Sequence, residues 1–96
     1  IFAFANTMNL DYHRVLEAVL SDPRIGNAHT QVPGPDGDYG FGGTCFPKDI
    51  NAMITTLQNN HISSYILESV WNDNMKYRTN WDWANNTSAV RANETR

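Results

Sequence analysis

The sequence predicts an all-α fold that is interrupted by one long loop rich in glycine and proline. Apolar side chains recur at helical spacing in three segments, which are residues 11–20, 47–58 and 63–80. Residues 24–44 lack this periodicity, and glycine and proline crowd into their second half. After Trp83 the composition changes to asparagine, threonine, serine and alanine without an apolar period. We therefore expect a helical domain over residues 1–83 and a tail or linker over residues 84–96.

The first two predicted helices form an antiparallel pair. Asp11 is suited to cap the second of them, and Asp22-Pro23 ends it, because a residue before proline disfavours the helical conformation. The apolar face of this helix consists of Tyr12, Val15, Leu16, Val19 and Leu20. Residues 1–8 carry apolar side chains with no capping residue ahead of them, so we interpret the chain as a fragment that begins inside a helix.

Two further helices follow the loop. Pro47 suits the first helical position, which makes Phe46 the N-cap, and the helix should run to the break at Asn59-Asn60. Its apolar face comprises Ile50, Met53, Ile54 and Leu57. Ser63 or Ser64 can cap the last helix, whose buried stripe is predicted to be Ile66, Leu67, Val70, Trp71, Asn74 and Tyr77. The three tryptophans of the chain are expected to be packing residues at helix or domain contacts.

Composition argues against several classes of partner. The net charge is −3 and the basic residues are scattered, so we expect no nucleic-acid partner. No apolar run approaches the ~20 residues of a membrane span. One cysteine permits no intrachain disulfide, the three histidines lack ligand spacing, and no signal-peptide pattern is present. We therefore expect a cytoplasmic protein without a metal site, and we expect no glycosylation at the sequons of Asn85, Asn86 and Asn93.

The stretch GFGGTCFPKD, residues 40–49, combines three features that suit one site. Gly40, Gly42 and Gly43 permit positive φ and let a ligand such as a phosphate approach the main-chain amides, although an ordinary connecting turn would also use them. The other two features are a lone cysteine and an acidic residue four positions after it.

Cys45 lies just ahead of the predicted helix, with Lys48 close by. The helix dipole and this cation both favour a thiolate, the form that a nucleophilic cysteine needs. The alternative is a small, inert, buried hydrophobe. Asp49 has the position to orient a water or share a proton, although a carboxylate in a first helical turn also stabilises the helix without catalysis.

The longer stretch GFGGTCFPKDINAMI resembles the cysteine motif of the nucleotide-sugar dehydrogenases, the UDP-glucose and GDP-mannose 6-dehydrogenase family, and DPRIG at residues 22–26 also fits it. The resemblance covers about residues 1–83. It implies a helical central domain of the 6-phosphogluconate-dehydrogenase-like type, which forms a homodimer and joins an NAD-binding Rossmann domain to a sugar-nucleotide-binding domain. Neither Rossmann domain is expected in this chain, so the resemblance implies a fragment that is inactive alone.

Members of this family oxidise the C6 alcohol of a UDP- or GDP-sugar to a carboxylate, passing hydride to NAD⁺ through a thiohemiacetal and a thioester. By resemblance, Cys45 is the nucleophile and Asp49 works with the hydrolytic water. Lys48 lies near the cofactor, and Arg24 reaches a substrate in the neighbouring subunit. The loop that holds the sugar nucleotide corresponds to Tyr39, Gly40, Phe41, Gly42 and Gly43.

UDP-glucose is the expected substrate, with GDP-mannose and UDP-N-acetyl sugars as alternatives. The VPGPDG element before the cysteine is longer than in many members of the family. A reading from a different class is a helical dimerisation module whose cysteine is idle. A third reading is a different dehydrogenase of the 6-phosphogluconate-dehydrogenase-like superfamily. Such a protein would share the helical fold, but its chemistry does not require the motif GFGGTC followed by KD.

Overall fold

Four helices make up the computed structural model, which describes residues 1–84. They are α1 (Phe2–Thr7), α2 (Tyr12–Leu20), α3 (Cys45–Asn59) and α4 (Tyr65–Tyr77). No strand occurs in residues 1–84, which confirms the all-α prediction. The three sequons and nearly all of the predicted tail lie at residues 85–96, outside the described part. Within residues 1–84 no helix is long and apolar enough to cross a membrane.

Helices α1 and α2 pack together as the predicted hairpin. The Asp11 carboxylate accepts a hydrogen bond from the His13 amide at 3.0 Å, so the predicted N-cap is confirmed. Asn9 takes a left-handed conformation in the turn, at φ 57°. The apolar face of α2 is half-buried and none of its residues is fully buried. The Tyr12 hydroxyl ties this hairpin to the long loop by donating to the Thr30 carbonyl at 2.6 Å.

Helix α3 begins two residues earlier than the sequence predicts. Its N-cap is Thr44 and its first residue is Cys45, so the prediction of Phe46 as N-cap and Pro47 as first residue is wrong. Amides of a first helical turn have no intrahelical acceptor, and proline at the third position therefore loses no hydrogen bond. The consequence for function is that Cys45 is part of the helix rather than a loop residue ahead of it.

The core lies where α3 and α4 pack against each other and against the segment that follows α4. Its buried residues are Ile54, Trp71 and Trp83, and around them pack Phe41, Ile50, Leu67, Met75 and Trp81. The rings of Trp71 and Trp83 lie 5.1 Å apart, and Trp81 stacks on Trp83 at 5.8 Å. The prediction that the tryptophans are packing residues is confirmed.

The predicted buried stripe of α4 is wrong in part. Trp71 and Asn74 are buried and Leu67 is half-buried, but Ile66 is 81% exposed, and Val70 and Tyr77 are also exposed. The face that α4 turns inward instead carries Ser64, Leu67, Trp71, Asn74 and Arg78. Only this one row of α4 packs inward, so the apolar residues on either side of it remain exposed.

Candidate functional site

The loop that leads into α3 is fastened to the buried face of α4 through Asn74. The amide of Phe41 donates to Asn74 Oδ1 at 2.7 Å, and Asn74 Nδ2 donates to the Phe41 carbonyl at 2.8 Å. One side chain thus satisfies both backbone groups of one loop residue, as a neighbouring strand would. Asn74 is only 4% exposed, so these bonds also satisfy its own buried amide.

The second attachment is the guanidinium of Arg78, whose side chain is only 1% exposed. Its Nη1 lies 2.8 Å from Asp36 Oδ2, and its Nε lies 3.4 Å from Asp38 Oδ2. Its Nη2 lies 3.4 Å from Asp82 Oδ1. A buried guanidinium requires such pairing, because desolvating an unpaired charge is costly. Arg78 therefore joins the loop on one side to the segment after α4 on the other.

Asp38 is the most strongly bound carboxylate in this network. Its Oδ1 accepts from the Tyr39 amide at 2.8 Å, and its Oδ2 accepts from the Asn80 amide at 2.9 Å. The Thr79 amide lies 3.2 Å from both oxygens. Burial raises the pKa of Asp38, but the amides of Asn80, Tyr39 and Thr79 together outweigh burial and hold that pKa well below its usual range.

The protein should lose stability on acidification below about pH 4. Asp38 has a lowered pKa, and the hydrogen bond from Arg78 likewise lowers the pKa of Asp36. Both carboxylates therefore stabilise the fold above their unfolded-state pKa of about 3.9, and this contribution disappears as the pH falls towards the folded-state values. Urea denaturation should show an unfolding free energy that is steady from about pH 7 to pH 5 and falls progressively as the pH drops below about 4. Asp38→Asn should show a smaller fall, and an equal fall in both proteins would contradict this assignment.

The three glycines of the motif differ in their surroundings. A Cβ on Gly40 would overlap Asn74 Oδ1, and one on Gly42 would overlap Arg78 Nη2. Gly43 has open space at that position, with φ at +77°. At Gly40 and Gly42 the close neighbours are therefore side chains of this protein. The Phe41 amide bonds Asn74 and the Gly43 amide bonds Asp82 Oδ1 at 2.9 Å, so neither faces outward for an anion.

Cys45 is an exposed free thiol on the first residue of α3. The alternative that Cys45 is buried is therefore wrong, and its reactivity stays a prediction. Lys48 and Asp49 follow on the first turns of the helix, and their side chains form an ion pair with Nζ 3.5 Å from Oδ1. Both side chains are well exposed, at 48% and 66%. The arrangement offers a thiol, a carboxylate and an ammonium group at one helix end, in reach of solvent or a ligand.

Two hollows flank Phe41. The larger, of about 560 Å³, is lined by Tyr39, Gly40, Phe41 and Asn74 together with residues of α1 and α4. The smaller, of about 360 Å³, is almost entirely apolar and lies between α3 and α4. Asp49 supplies its one charged side chain, beside Phe41 and Phe46. The structure thus brings the predicted loop residues Tyr39, Gly40 and Phe41 together at one hollow, and Phe41 and Asp49 at the other.

Arg24 makes its contacts away from Cys45, Asp49 and the two hollows. Its guanidinium pairs with the two oxygens of Asp22, at 3.0 Å from Nε and 2.7 Å from Nη2, and its side chain is 86% exposed. The same loop segment reaches α3 through His29, whose ring packs edge-on against Phe46 at 5.5 Å. His29 therefore lies beside the residue that follows Cys45, while Arg24 points to a surface.

The residues that hold the loop were missed by sequence reasoning as functional candidates. Asn74 was placed in the buried stripe, and a buried amide must find hydrogen-bond partners, so its position was a usable signal. Arg78 continues the spacing of that stripe by four residues, which was a second signal. No comparable signal marks Asp36, Asp38 or Asp82, because acidic residues in loops are usually solvated.

Comparison with known proteins identifies relatives over most of the described part. A family model described as the UDP-glucose/GDP-mannose dehydrogenase family, central domain, matches residues 1–76. A UDP-glucose 6-dehydrogenase of Rickettsia bellii is 44% identical over 64 residues, which are 67% of this chain and 14% of that protein. Those of Rickettsia conorii and Rickettsia prowazekii are 42% and 45% identical over 59 and 58 residues, 62% and 60% of this chain and 12% of each relative. The chain therefore spans a small part of these relatives, and no solved structure shows a significant match.

Proposed function

Because the chain belongs to the UDP-glucose/GDP-mannose dehydrogenase family through its central domain, we propose that it supplies the cysteine-bearing part of a UDP-glucose 6-dehydrogenase. The observation that carries the proposal is the exposed thiol of Cys45 on the first residue of α3, with Asp49 and Lys48 one turn on and the glycine loop directly before it. A helix N-terminus beside a cation is the environment in which a cysteine becomes a nucleophile.

Cys45 forms the covalent intermediate in this proposal. Its thiolate attacks the C6 aldehyde carbon, a C–S bond forms, and the carbonyl oxygen takes up a proton to give a thiohemiacetal. NAD⁺, held outside residues 1–84, would supply both oxidations at C6, from alcohol to aldehyde and from thiohemiacetal to thioester. Water then attacks the thioester carbon, the C–S bond breaks, and the thiolate leaves. Asp49 accepts a proton from that water, for which its exposed carboxylate on the same helix is suited.

The sugar nucleotide lies against the loop in this proposal. Tyr39, Gly40 and Phe41 line the larger hollow, which has a volume of about 560 Å³. Gly43 leaves open space where a side chain would otherwise stand, and Gly42 lets the loop lie close to Arg78. Ligand pockets of this size, mostly apolar with a few polar groups, are typical of small-molecule sites.

NAD⁺, the hydride acceptor of this family, does not find a site among the described residues. A dinucleotide-binding fold needs parallel strands and a glycine turn at a helix N-terminus, and residues 1–84 contain no strand. Lys48, the one residue of this chain proposed to lie near the cofactor, is half-exposed and paired with Asp49. We therefore assign NAD binding to Rossmann domains outside this chain, and we assign none of these residues to hydride transfer.

The central domain is also proposed to form a homodimer in the cytoplasm. The outer face of α4 exposes Tyr65 and Ile66, which are 78% and 81% accessible, and apolar groups of this size are commonly covered by a partner. In such a dimer, Arg24 would reach the substrate of the neighbouring subunit. The same exposed face favours a second candidate function, a dimerisation module without catalysis of its own.

A chimera tests the proposed function. The segment of the Rickettsia bellii enzyme that matches this chain is replaced by this chain, and NADH formation is followed with UDP-glucose, GDP-mannose and a UDP-N-acetyl sugar. We expect two NADH per UDP-glucose and little turnover of the others. A folded, dimeric chimera that oxidises none of the three would contradict the proposal and favour the dimerisation module.

A further inference from the structure

Two buried polar side chains contact the loop ahead of Cys45: Asn74 in α4, and Arg78, the C-cap that directly follows α4. We propose that these two are positioning residues, which fix the backbone of residues 36–43 and thereby place the first turn of α3 for reaction. The inference rests on the proposed function for its catalytic consequence, whereas the attachment of the loop can be tested without it. Arg78 lies beyond residues 1–76, the part that the family model matches.

Asn74 fixes the middle of the loop. Its amide group exchanges two hydrogen bonds with the backbone of Phe41, at 2.7 and 2.8 Å, and it is 4% exposed. In such a buried position, losing Asn74 would leave an N–H and a C=O of Phe41 without partners, and each unpaired group is costly. Phe41 also packs against Trp71 in the core, with ring centroids 6.1 Å apart, so the loop is anchored by a ring and an amide together.

Arg78 fixes the two ends of the loop. At the first end its Nη1 lies 2.8 Å from Asp36 and 3.5 Å from the Tyr39 carbonyl. At the second end its Nη2 pairs with Asp82, whose Oδ1 also accepts from the Gly43 amide at 2.9 Å. One planar guanidinium therefore sets the separation of loop residues that are several positions apart in sequence.

The glycines show how closely the loop lies against these side chains. Cβ atoms at Gly40 and Gly42 would overlap Asn74 and Arg78 respectively. Gly40 also has φ at +64°, a conformation that other residues rarely adopt. Gly40 thus combines a backbone requirement with a packing requirement, whereas Gly42 carries the packing requirement alone. The packing requirements point to Asn74 and Arg78.

Only Thr44 separates the last attached loop residue, Gly43, from Cys45. Thr44 makes no side-chain capping bond, so the start of α3 depends on the backbone that precedes it. A shift of the loop would therefore shift the sulfur, and a misplacement of about 1 Å in a reacting group can lower a rate by about 100-fold. The effect should appear in kcat, because the sulfur that moves is the reacting atom. For Asn74 it should also appear in KM, because Asn74 lines the hollow proposed for the sugar nucleotide.

Amide hydrogen exchange of the 96-residue chain tests the attachment itself. In Asn74→Ala the Phe41 amide should exchange at least about 10-fold faster, relative to the buried Ile54 amide that reports global opening. Lys76→Ala, an exposed change on the same turn of α4, should leave the ratio unchanged. If Asn74→Ala does not fold, Asn74→Leu removes both bonds to Phe41 while keeping the branched shape of the side chain, and it serves the same readout. An unchanged Phe41 ratio in the folded variant overturns the proposal.

Turnover by the chimera tests the catalytic consequence. Asn74→Ala and Arg78→Lys should each lower kcat for UDP-glucose by about 10-fold or more at a temperature where the variants are folded. In Arg78→Lys, KM should change far less than kcat, because Arg78 does not line the larger hollow. Lys76→Ala should retain the parent kcat. Unchanged kcat in both folded variants overturns the positioning role. A parent chimera without turnover contradicts the proposed function alone, and hydrogen exchange then decides whether the loop is held as proposed.

Discussion

Replacing Cys45 with serine in the chimera should lower the rate of NADH formation from UDP-glucose by about 1,000-fold or more. Cys45 is the one cysteine of this chain, so no other thiol of the inserted segment can take its place. A serine hydroxyl has nearly the shape of the thiol but is a far weaker nucleophile near neutral pH, and the C–S bond of the proposed intermediates cannot form. Because the side chain is exposed, the substitution should leave the unfolding free energy within about 0.5 kcal/mol of the parent value.

The matched control is Thr55→Ser, an equally small change on an exposed position of the same helix. It should retain the parent rate, and both variants should give the same urea midpoint as the parent. A Cys45→Ser chimera that keeps more than about a tenth of the parent rate would show that the thiol is not the nucleophile. Loss of activity together with loss of fold would show a structural role for the residue.

Local features of the fold were predictable where local signals decide the structure. Asp11 caps α2 as expected, and the asparagines at 59 and 60 mark the end of α3. The start of α3 was misplaced because proline is compatible with any of the first helical positions, so it marks a region rather than a residue. The inward face of α4 was misjudged at Ile66, because spacing cannot say how wide a face the neighbouring helix covers.

The reactive groups of the site could be predicted from the sequence, but the residues that hold the loop could not. Cys45 and Asp49 stand together because they are four residues apart on one helix, which sequence alone specifies. The bonds from Phe41 to Asn74 and from Asp36 to Arg78 join residues 33 and 42 positions apart. No spacing rule reports contacts over such separations. The motif glycines were accordingly interpreted as space for a ligand, whereas at Gly40 and Gly42 the neighbours are the side chains of Asn74 and Arg78.

Replacing Trp71 with alanine should destabilise the protein by about 3–5 kcal/mol, the cost of removing a large aromatic side chain from a packed core. Trp71 is 1% exposed and its ring contacts those of Phe41 and Trp83, at 6.1 and 5.1 Å. Domains of this size are stable by about 5–15 kcal/mol, so the loss is a large share of the total. Urea denaturation followed by circular dichroism measures this loss. The unfolding free energy of Trp71→Phe should lie between those of the parent and of Trp71→Ala.

Asn72→Ala is the control for this prediction, since Asn72 follows Trp71 on the same helix, is exposed and is not part of the proposed dimer face. It should change the unfolding free energy by no more than about 0.5 kcal/mol. Comparable losses at both positions would mean that α4 buries a different face from the one described. A small loss at Trp71 alone would mean that the core does not rest on this ring. Trp71 also contacts Phe41, so the same core side chain links the loop to the helices.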